Sequence, residues 1–185
     1  PKLERDRKFF ETADFTAIRD AVIGLINAII PDFRMVWGGH PAITPIISNI
    51  FEKRGYKNID FVTLYQSIYF SSDFPKEDRK FSNIILTDRK ENIPQSLLDM
   101  RERMIGENNI VAAVFIGGME GIKDECDIVK RLKPTAKLFP VASTGGAAFV
   151  DYDELISEHD PELDEKLHTD MAYTSLFKEL LHSLK

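Results

Sequence analysis

The stretch NNIVAAVFIGGMEGIKDECDIVKRLKP, residues 108–134, decides the fold. Its first part closes on AAVFI, an apolar run without polar alternation, as a strand covered on both faces requires. Its second part, EGIKDECDIVKRL, spaces apolar residues at helical intervals and stops at Pro134. Gly117 and Gly118 stand between them. Paired glycines at such a corner have two uses. They let a helix pack close to a sheet, or they let backbone N–H groups approach a phosphate at the positive helix end.

The same alternation extends outward in both directions. Apolar residues Phe15, Ile18, Val22, Leu25, Ile26 and Ile29 recur at helical spacing, with Asp14 or Thr12 as cap and Pro31 after the end. FRMVW reads as a short strand, GGHPAITP as a turn, and Ile43 to Lys53 as a helix with Gly55 as its stop. NIDFVTLYQS is a strand rich in β-branched and aromatic residues. A polar, partly helical loop, FSSDFPKEDRKFS, leads to the strand NIILT. IPQSLLDMRERMIG is a helix with Pro94 in its first turn and Gly106 after its end. Beyond Pro134, AKLFPVAS is a strand, TGGAAFVDYDELISEH a turn continuing as a helix, and residues 168–185 an amphipathic helix. The fold class is therefore α/β, a doubly wound parallel sheet, expected as one domain over residues 1–185. In such sheets ligands bind at the carboxyl ends of the strands. The three corners Gly38-Gly39, Gly117-Gly118 and Gly145-Gly146 should all lie on that edge.

Composition narrows the function. The hydrophobic fraction is 43% and the charged fraction 29%, ordinary for a globular chain of 185 residues. A formal charge of −6 with no basic block argues against a nucleic-acid surface. No apolar run reaches membrane-spanning length, and AVIGLINAII is too short and wrongly placed for a signal peptide. The single cysteine, Cys126, excludes an intramolecular disulfide and a cysteine-rich zinc site, and fits a reducing, cytoplasmic compartment. The chain opens on Pro1 rather than Met, as a processed product or one domain of a larger protein would.

None of the glycine corners carries the Gly-Lys-Ser/Thr ending of a nucleotide P-loop or three spaced dinucleotide glycines. VWGGHPAITP and FIGGMEGIKDE instead resemble the two glycine motifs of the LOG-like, or SLOG, superfamily. That group includes cytokinin-activating phosphoribohydrolases and nucleotide-ligand sensor domains. The hydrolase motif reads Pro-Gly-Gly-x-Gly-Thr-x-x-Glu. Here Ile116 replaces the proline, one residue is added before Gly121, and Ile122 stands in place of threonine, while Glu125 keeps the glutamate position. Upstream, MRERM places Met100 and Arg103 in the register of the hydrolase Met-x-x-Arg-Lys helix, with Met104 in place of lysine. Counting back from the glycine pair favours Arg101 instead. GGHP, GGMEG and the late STGGAA are closer to the sensor branch. The resemblance runs from about Phe33 to Phe149.

The resemblance implies a nucleotide-derived ligand, of the ADP-ribose or cyclic-nucleotide kind, bound by Gly38, Gly39, His40, Gly117, Gly118, Met119, Glu120, Gly121, Ser143, Thr144, Gly145 and Gly146. It implies a role in bacterial anti-phage signalling, a homo-oligomer, and an effector domain in the full-length protein. The second reading is an N-glycosidase, with Glu125 and Arg101 or Arg103 acting on the glycosidic bond of a nucleoside monophosphate. The altered spacing of the motif and the missing threonine and lysine favour binding over turnover. A third reading is an interaction module whose glycines only pack. No cofactor is expected. No metal is expected either, since no second histidine lies at helical spacing from His40. Acidic neighbours should raise the Cys126 thiol and leave it unreactive. Tyr65, Gln66 and Ser67 are placed to line the crevice, and Tyr65 or Trp37 to stack on a base or fill the core. The family also carries a first strand before the helix at Asp14, where this chain has only the polar residues 1–13.

Overall fold

Asp14 begins the first long helix by capping it: its carboxylate accepts the N–H groups of Thr16 and Ala17, each at 2.9 Å. The computed structural model describes residues 7–56 and 59–184. The first six residues of the polar segment, Asn58 at the head of the expected second strand, and Lys185 lie outside them. The architecture is mixed α/β, with parallel sheets of three and two strands flanked by helices, a Rossmann-like arrangement. The chain divides into two compact units, Pro1–Leu25 with Ile110–Lys185, and Ile26–Asn109.

In the unit of residues 26–109, β1 (Met35–Trp37), β2 (Ile59–Ser67) and β3 (Phe81–Thr87) lie side by side in that order, all parallel. Trp37 pairs with Leu64, and Ser67 with Thr87. The glycines after β1, Ser67 and Thr87 therefore all stand at the carboxyl edge. Helix α3 (Thr44–Lys53) joins β1 to β2 and ends where Gly55 adopts φ +82°. Helix α4 (Ile93–Gly106) opens on Asn92, whose side chain accepts the N–H of Gln95, with proline in its first turn. The core gathers Ile47, Phe51, Val62, Leu64, Met100 and Ile105.

In the other unit, α1 (Arg7–Phe10) and most of α2 (Phe15–Ile29) precede β4 (Ala112–Ile116), α5 (Gly121–Leu132) and β5 (Lys137–Val141). β4 and β5 pair in parallel from Ala112–Lys137 to Ile116–Val141. Residues 7–13 form the short α1 and a turn, with no strand. Instead of one helix after the third glycine pair, there are two of four residues, α6 (Ala147–Val150) and α7 (Tyr152–Leu155). The backbone leaves the helical region at Asp151. The tail helix expected over residues 168–185 is shorter, and a helix not expected from the sequence precedes it. Helix α8 (Pro161–Thr169) starts on an Asp160 cap, and the last helix, α9, runs Tyr173–His182. Asp170 separates them: it is extended, and its carboxylate accepts the N–H of Ala172 at 2.7 Å.

Candidate ligand site at the glycine corners

The corner after β4 has two consecutive left-handed residues, Gly117 at φ +58° and Gly118 at φ +85°. Space forbids side chains there as well. A Cβ on Gly117 would lie 2.5 Å from Ile18 Cδ1, and one on Gly118 2.3 Å from Ile122 Cγ1. Ile122, at the family's threonine position, thus packs across its own corner. Beyond it, α5 is a 12-residue helix whose amino end carries a partial positive charge. Met119 is exposed, and Glu120 stands at the cap without a side-chain capping bond. Glu125 is half-buried and lies four residues after Gly121, on the same side of the helix. Glu120, Asp124 and Glu125 put three carboxylates near this helix end, where each is itself favourable. Cys126 is buried, and burial first, then Asp127, pushes its thiol upward.

The corner after β5 lies against this one. Thr144 is fully buried, and its hydroxyl donates to Val141 O at 2.6 Å while accepting the Gly117 N–H at 2.8 Å. The N–H of Gly145 goes to Ala142 O, that of Gly146 to Thr12 Oγ1, that of Ala147 to Gly118 O and that of Ala148 to Gly117 O. Every amide from Gly145 to Ala148 therefore has a protein partner. Thr12, a candidate helix cap by sequence, bonds this corner instead. Ser143 Oγ meets Asp170 O at 3.2 Å and Tyr173 Oη at 3.3 Å. The chemistry left to this corner is support: it fixes Gly117 and Gly118.

In the other unit, Gly38 lies beside the Met100 and Met104 side chains, and Gly39 adopts φ +70° against Gln66 and Leu64. His40 organises the turn. Its carbonyl accepts the N–H groups of Ile43 and Thr44, its Nδ1 accepts that of Ala42 at 3.2 Å, and its own N–H donates to Thr44 Oγ1 at 3.1 Å. Trp37 Nε1 donates to the same hydroxyl at 3.3 Å. An accepting Nδ1 is unprotonated, and partial desolvation holds the imidazole below its usual value, so the ring is neutral with Nε2–H as its donor. No acidic residue stands in the first turn of α3.

Arg103 donates through Nε to Glu107 at 2.8 Å, and Tyr65 donates its hydroxyl to the same carboxylate at 3.0 Å. The Arg103 hydrogen bond, then that of Tyr65, holds Glu107 below the usual carboxylate range. Asn108 completes the set by donating to Tyr65 Oη. Tyr65 is thereby a core residue. Arg101 is half-buried on the same helix. Gln66 and Asp78, both buried, share a hydrogen bond of 2.8 Å that no sequence signal announces.

A hollow of about 340 Å³ lies between α2 and the start of α9, lined by Asp20, Ile23, Gly24, Met171 and Tyr173 among others, and includes no glycine-pair residue. Among the described residues, no group of three or more His, Cys, Asp or Glu is placed to hold a metal, and no helix is long and apolar enough to cross a membrane.

A family model described as the SLOG cluster3 family matches residues 8–181. No curated protein and no solved structure matches the chain.

Proposed function

The chain belongs to the SLOG cluster3 family, a LOG-like nucleotide-related group, and from that premise we propose that it is a sensor that binds a nucleotide-derived ligand without turning it over. The observation that carries this reading is the Gly117-Gly118 corner. Two left-handed glycines run straight into a 12-residue helix, and Thr144 and Gly146 lock them in place from behind. Such a corner presents backbone donors to a phosphate at fixed positions. Met119, Glu120 and Gly121 follow as ligand contacts, with Ser143 to Gly146 as their support. Gly38, Gly39 and His40 offer a second corner of the same kind in the other unit, with a neutral imidazole donor. An ADP-ribose-type or cyclic nucleotide suits the donors of the Gly117-Gly118 corner. Binding that favours one of two arrangements of the protein, or of a homo-oligomer, would pass the signal to an effector, as in anti-phage systems of the cytoplasm.

Thermal unfolding with ADP-ribose, cyclic dinucleotides and AMP tests the reading. A ligand at a hundredfold excess over Kd adds about 2.7 kcal/mol, roughly 5–11 °C in Tm for a chain of this size. No shift with any of them would refute it. The N-glycosidase reading keeps one observation in its favour, the half-buried Glu125 on the corner side of α5. Release of free base from AMP, abolished by Glu125→Gln, would replace the sensor with the enzyme.

A further inference from the structure

The connection from β2 to β3 leaves the carboxyl end of β2 and returns to the amino end of β3, where Phe81 pairs with Ile59, through two 3-10 turns, Ile68–Asp73 and Lys76–Lys80. The second packs on α3 and β3, and Lys80 Nζ ties it to Glu52 on α3 at 2.6 Å. Between these anchors the turn sends a carboxylate inward. Asp78 is 6% exposed; its Oδ2 accepts the Gln66 Nε2–H at 2.8 Å, and its Oδ1 has no hydrogen-bond partner among the described residues. Ser48 Oγ, on α3 one turn before Glu52, is a second buried oxygen without a hydrogen-bond partner among the described residues. Gln66, equally buried, supports the glycine corner. A Cβ on Gly39 would come within 3.2 Å of Gln66 Nε2 and 3.3 Å of its Cγ. The buried acid is thus hydrogen-bonded to a side chain that occupies the space a Gly39 Cβ would need.

A buried carboxylate is paired with a cation, hydrogen-bonded on both oxygens, or neutralised by a proton. The charged residues of the elements packed against Asp78 are few. α3 supplies Glu52, engaged with Lys80, and Lys53; β3 has none; the turn itself has half-buried Glu77 and exposed Lys76 and Arg79; His40 sits in the corner above. Burial raises the Asp78 carboxyl, the Gln66 bond opposes this, and Glu77 adds to the rise.

We propose that Asp78 is a positioning residue that couples proton uptake to anion binding at the Gly38-Gly39 corner. The neutral acid keeps Gln66 under Gly39 and leaves the corner free of negative charge. The carboxylate keeps the same hydrogen bond but sets a buried negative charge beneath the place where a phosphate would sit. By linkage, an anion bound there raises the Asp78 pKa, and protonated Asp78 binds the anion more tightly. The identity of the anion rests on the nucleotide reading above; the coupling of Asp78 to the corner does not.

Two measurements separate them. In the free protein, the Gly39 amide resonance should titrate with a midpoint above the ordinary carboxylate value, and that titration should vanish in Asp78→Asn, leaving any His40 component. A titration unchanged by Asp78→Asn would overturn the proposal. With ADP-ribose as probe, whose pyrophosphate does not titrate above the carboxylate range, wild-type affinity should fall roughly tenfold as pH rises through the midpoint that the Gly39 resonance reports, while Asp78→Asn loses that fall and keeps only a His40 component. Equal pH dependence in both proteins sinks the coupling and spares the nucleotide reading. No binding at any pH, with the Asp78-dependent Gly39 titration intact, sinks the nucleotide reading and supports the coupling.

Discussion

Replacing Gly145 with alanine isolates the packing role of the third corner. Gly145 adopts φ +71° and ψ −156°, a region that residues with a Cβ essentially never enter. That strain alone costs on the order of 1–3 kcal/mol. The added methyl would also stand 1.9 Å from Thr12 O and 2.6 Å from Thr12 C. Those are backbone atoms, which cannot rotate away, so Thr12 and Ala13 must shift. The shift endangers the Gly146 N–H···Thr12 Oγ1 bond and adds about 1–3 kcal/mol of overpacking. The sum is about 2–6 kcal/mol. Two controls divide it. Gly55→Ala keeps the positive φ, +82°, with nothing within 4 Å of the new atom, so it carries the conformational cost alone, about 1–2 kcal/mol. Gly24→Ala stays within α2 but meets Tyr173 Cβ at 2.6 Å, so it carries the steric cost alone. Urea unfolding followed by circular dichroism is the assay. At about 2 kcal/mol per molar, the Gly145 midpoint should fall by about 1–3 M, further than either control. A Gly145→Ala midpoint equal to that of Gly55→Ala would refute the claim that this corner is packed against the backbone of residues 12–13.

Thr144→Val removes the acceptor of the Gly117 N–H and should cost about 1–3 kcal/mol, whereas Thr144→Ser should retain most of it, by the same urea assay. Asp164 pairs with Tyr152 Oη at 2.8 Å and His159 Nδ1 at 3.1 Å. Burial alone would raise its carboxyl, but those bonds outweigh it and leave it below the usual value. Its contribution is therefore present above the unfolded carboxylate value and lost as pH falls through the folded one, so Asp164→Asn should flatten the acid limb of stability against pH. His40 shifts the opposite way from a paired histidine: its folded value lies below 6.5, so the unfolded chain takes up the proton first. Its contribution is complete above 6.5 and declines as pH drops from there toward the folded value, and an imidazole NMR midpoint at or above 6.5 would refute the neutral assignment.

Where local chemistry sets an element, the sequence was enough. Helix α4 has Pro94 in its first turn as expected and runs through Gly106, which was expected just after its end, and Gly55 ends α3 in the left-handed region as a stop should. Helix α8 carries a clear local signal, Asp160 before Pro161, masked in the sequence by the apolar periodicity of the tail that follows. At the break Asp151 pairs with Lys8 at 3.3 Å, and at the split Asp170 accepts the Ala172 N–H on its carboxylate and the Ser143 hydroxyl on its carbonyl, so distant residues take part at both. Of the site, the positions of the corners were legible, since strand, glycines and helix follow in order. The Gln66–Asp78 pair was not. It joins the end of a strand to a loop turn 12 residues on, and a buried aspartate in a Lys- and Arg-rich turn reads as a solvated charge.

The glycine pairs show why sequence alone cannot rank corners of this kind. All three place a left-handed glycine beside a helix start, and the second and third each have two in succession. They differ in which atoms take up the amides. After β5 the acceptors are Ala142, Thr12, Gly118 and Gly117, one of them 134 residues away along the chain, and the helix that follows has only four residues and little dipole to offer. After β4 a Thr144 hydroxyl takes only the first amide, and 12 helical residues stand behind the rest of the turn. An anion competing for the third corner must displace backbone hydrogen bonds, each worth about 0.5–1.5 kcal/mol net and more if a buried carbonyl is left bare. At the second corner the supporting bonds come from behind and are compatible with a guest in front. Alanine at Gly146, whose Cβ would meet Gly118 O at 2.7 Å, should therefore weaken ligand binding by distorting Gly118, even though Gly146 itself is spent on Thr12. If Gly146→Ala folds and binds ADP-ribose as wild type does, the second corner does not depend on the third, and the division of labour argued for them is wrong.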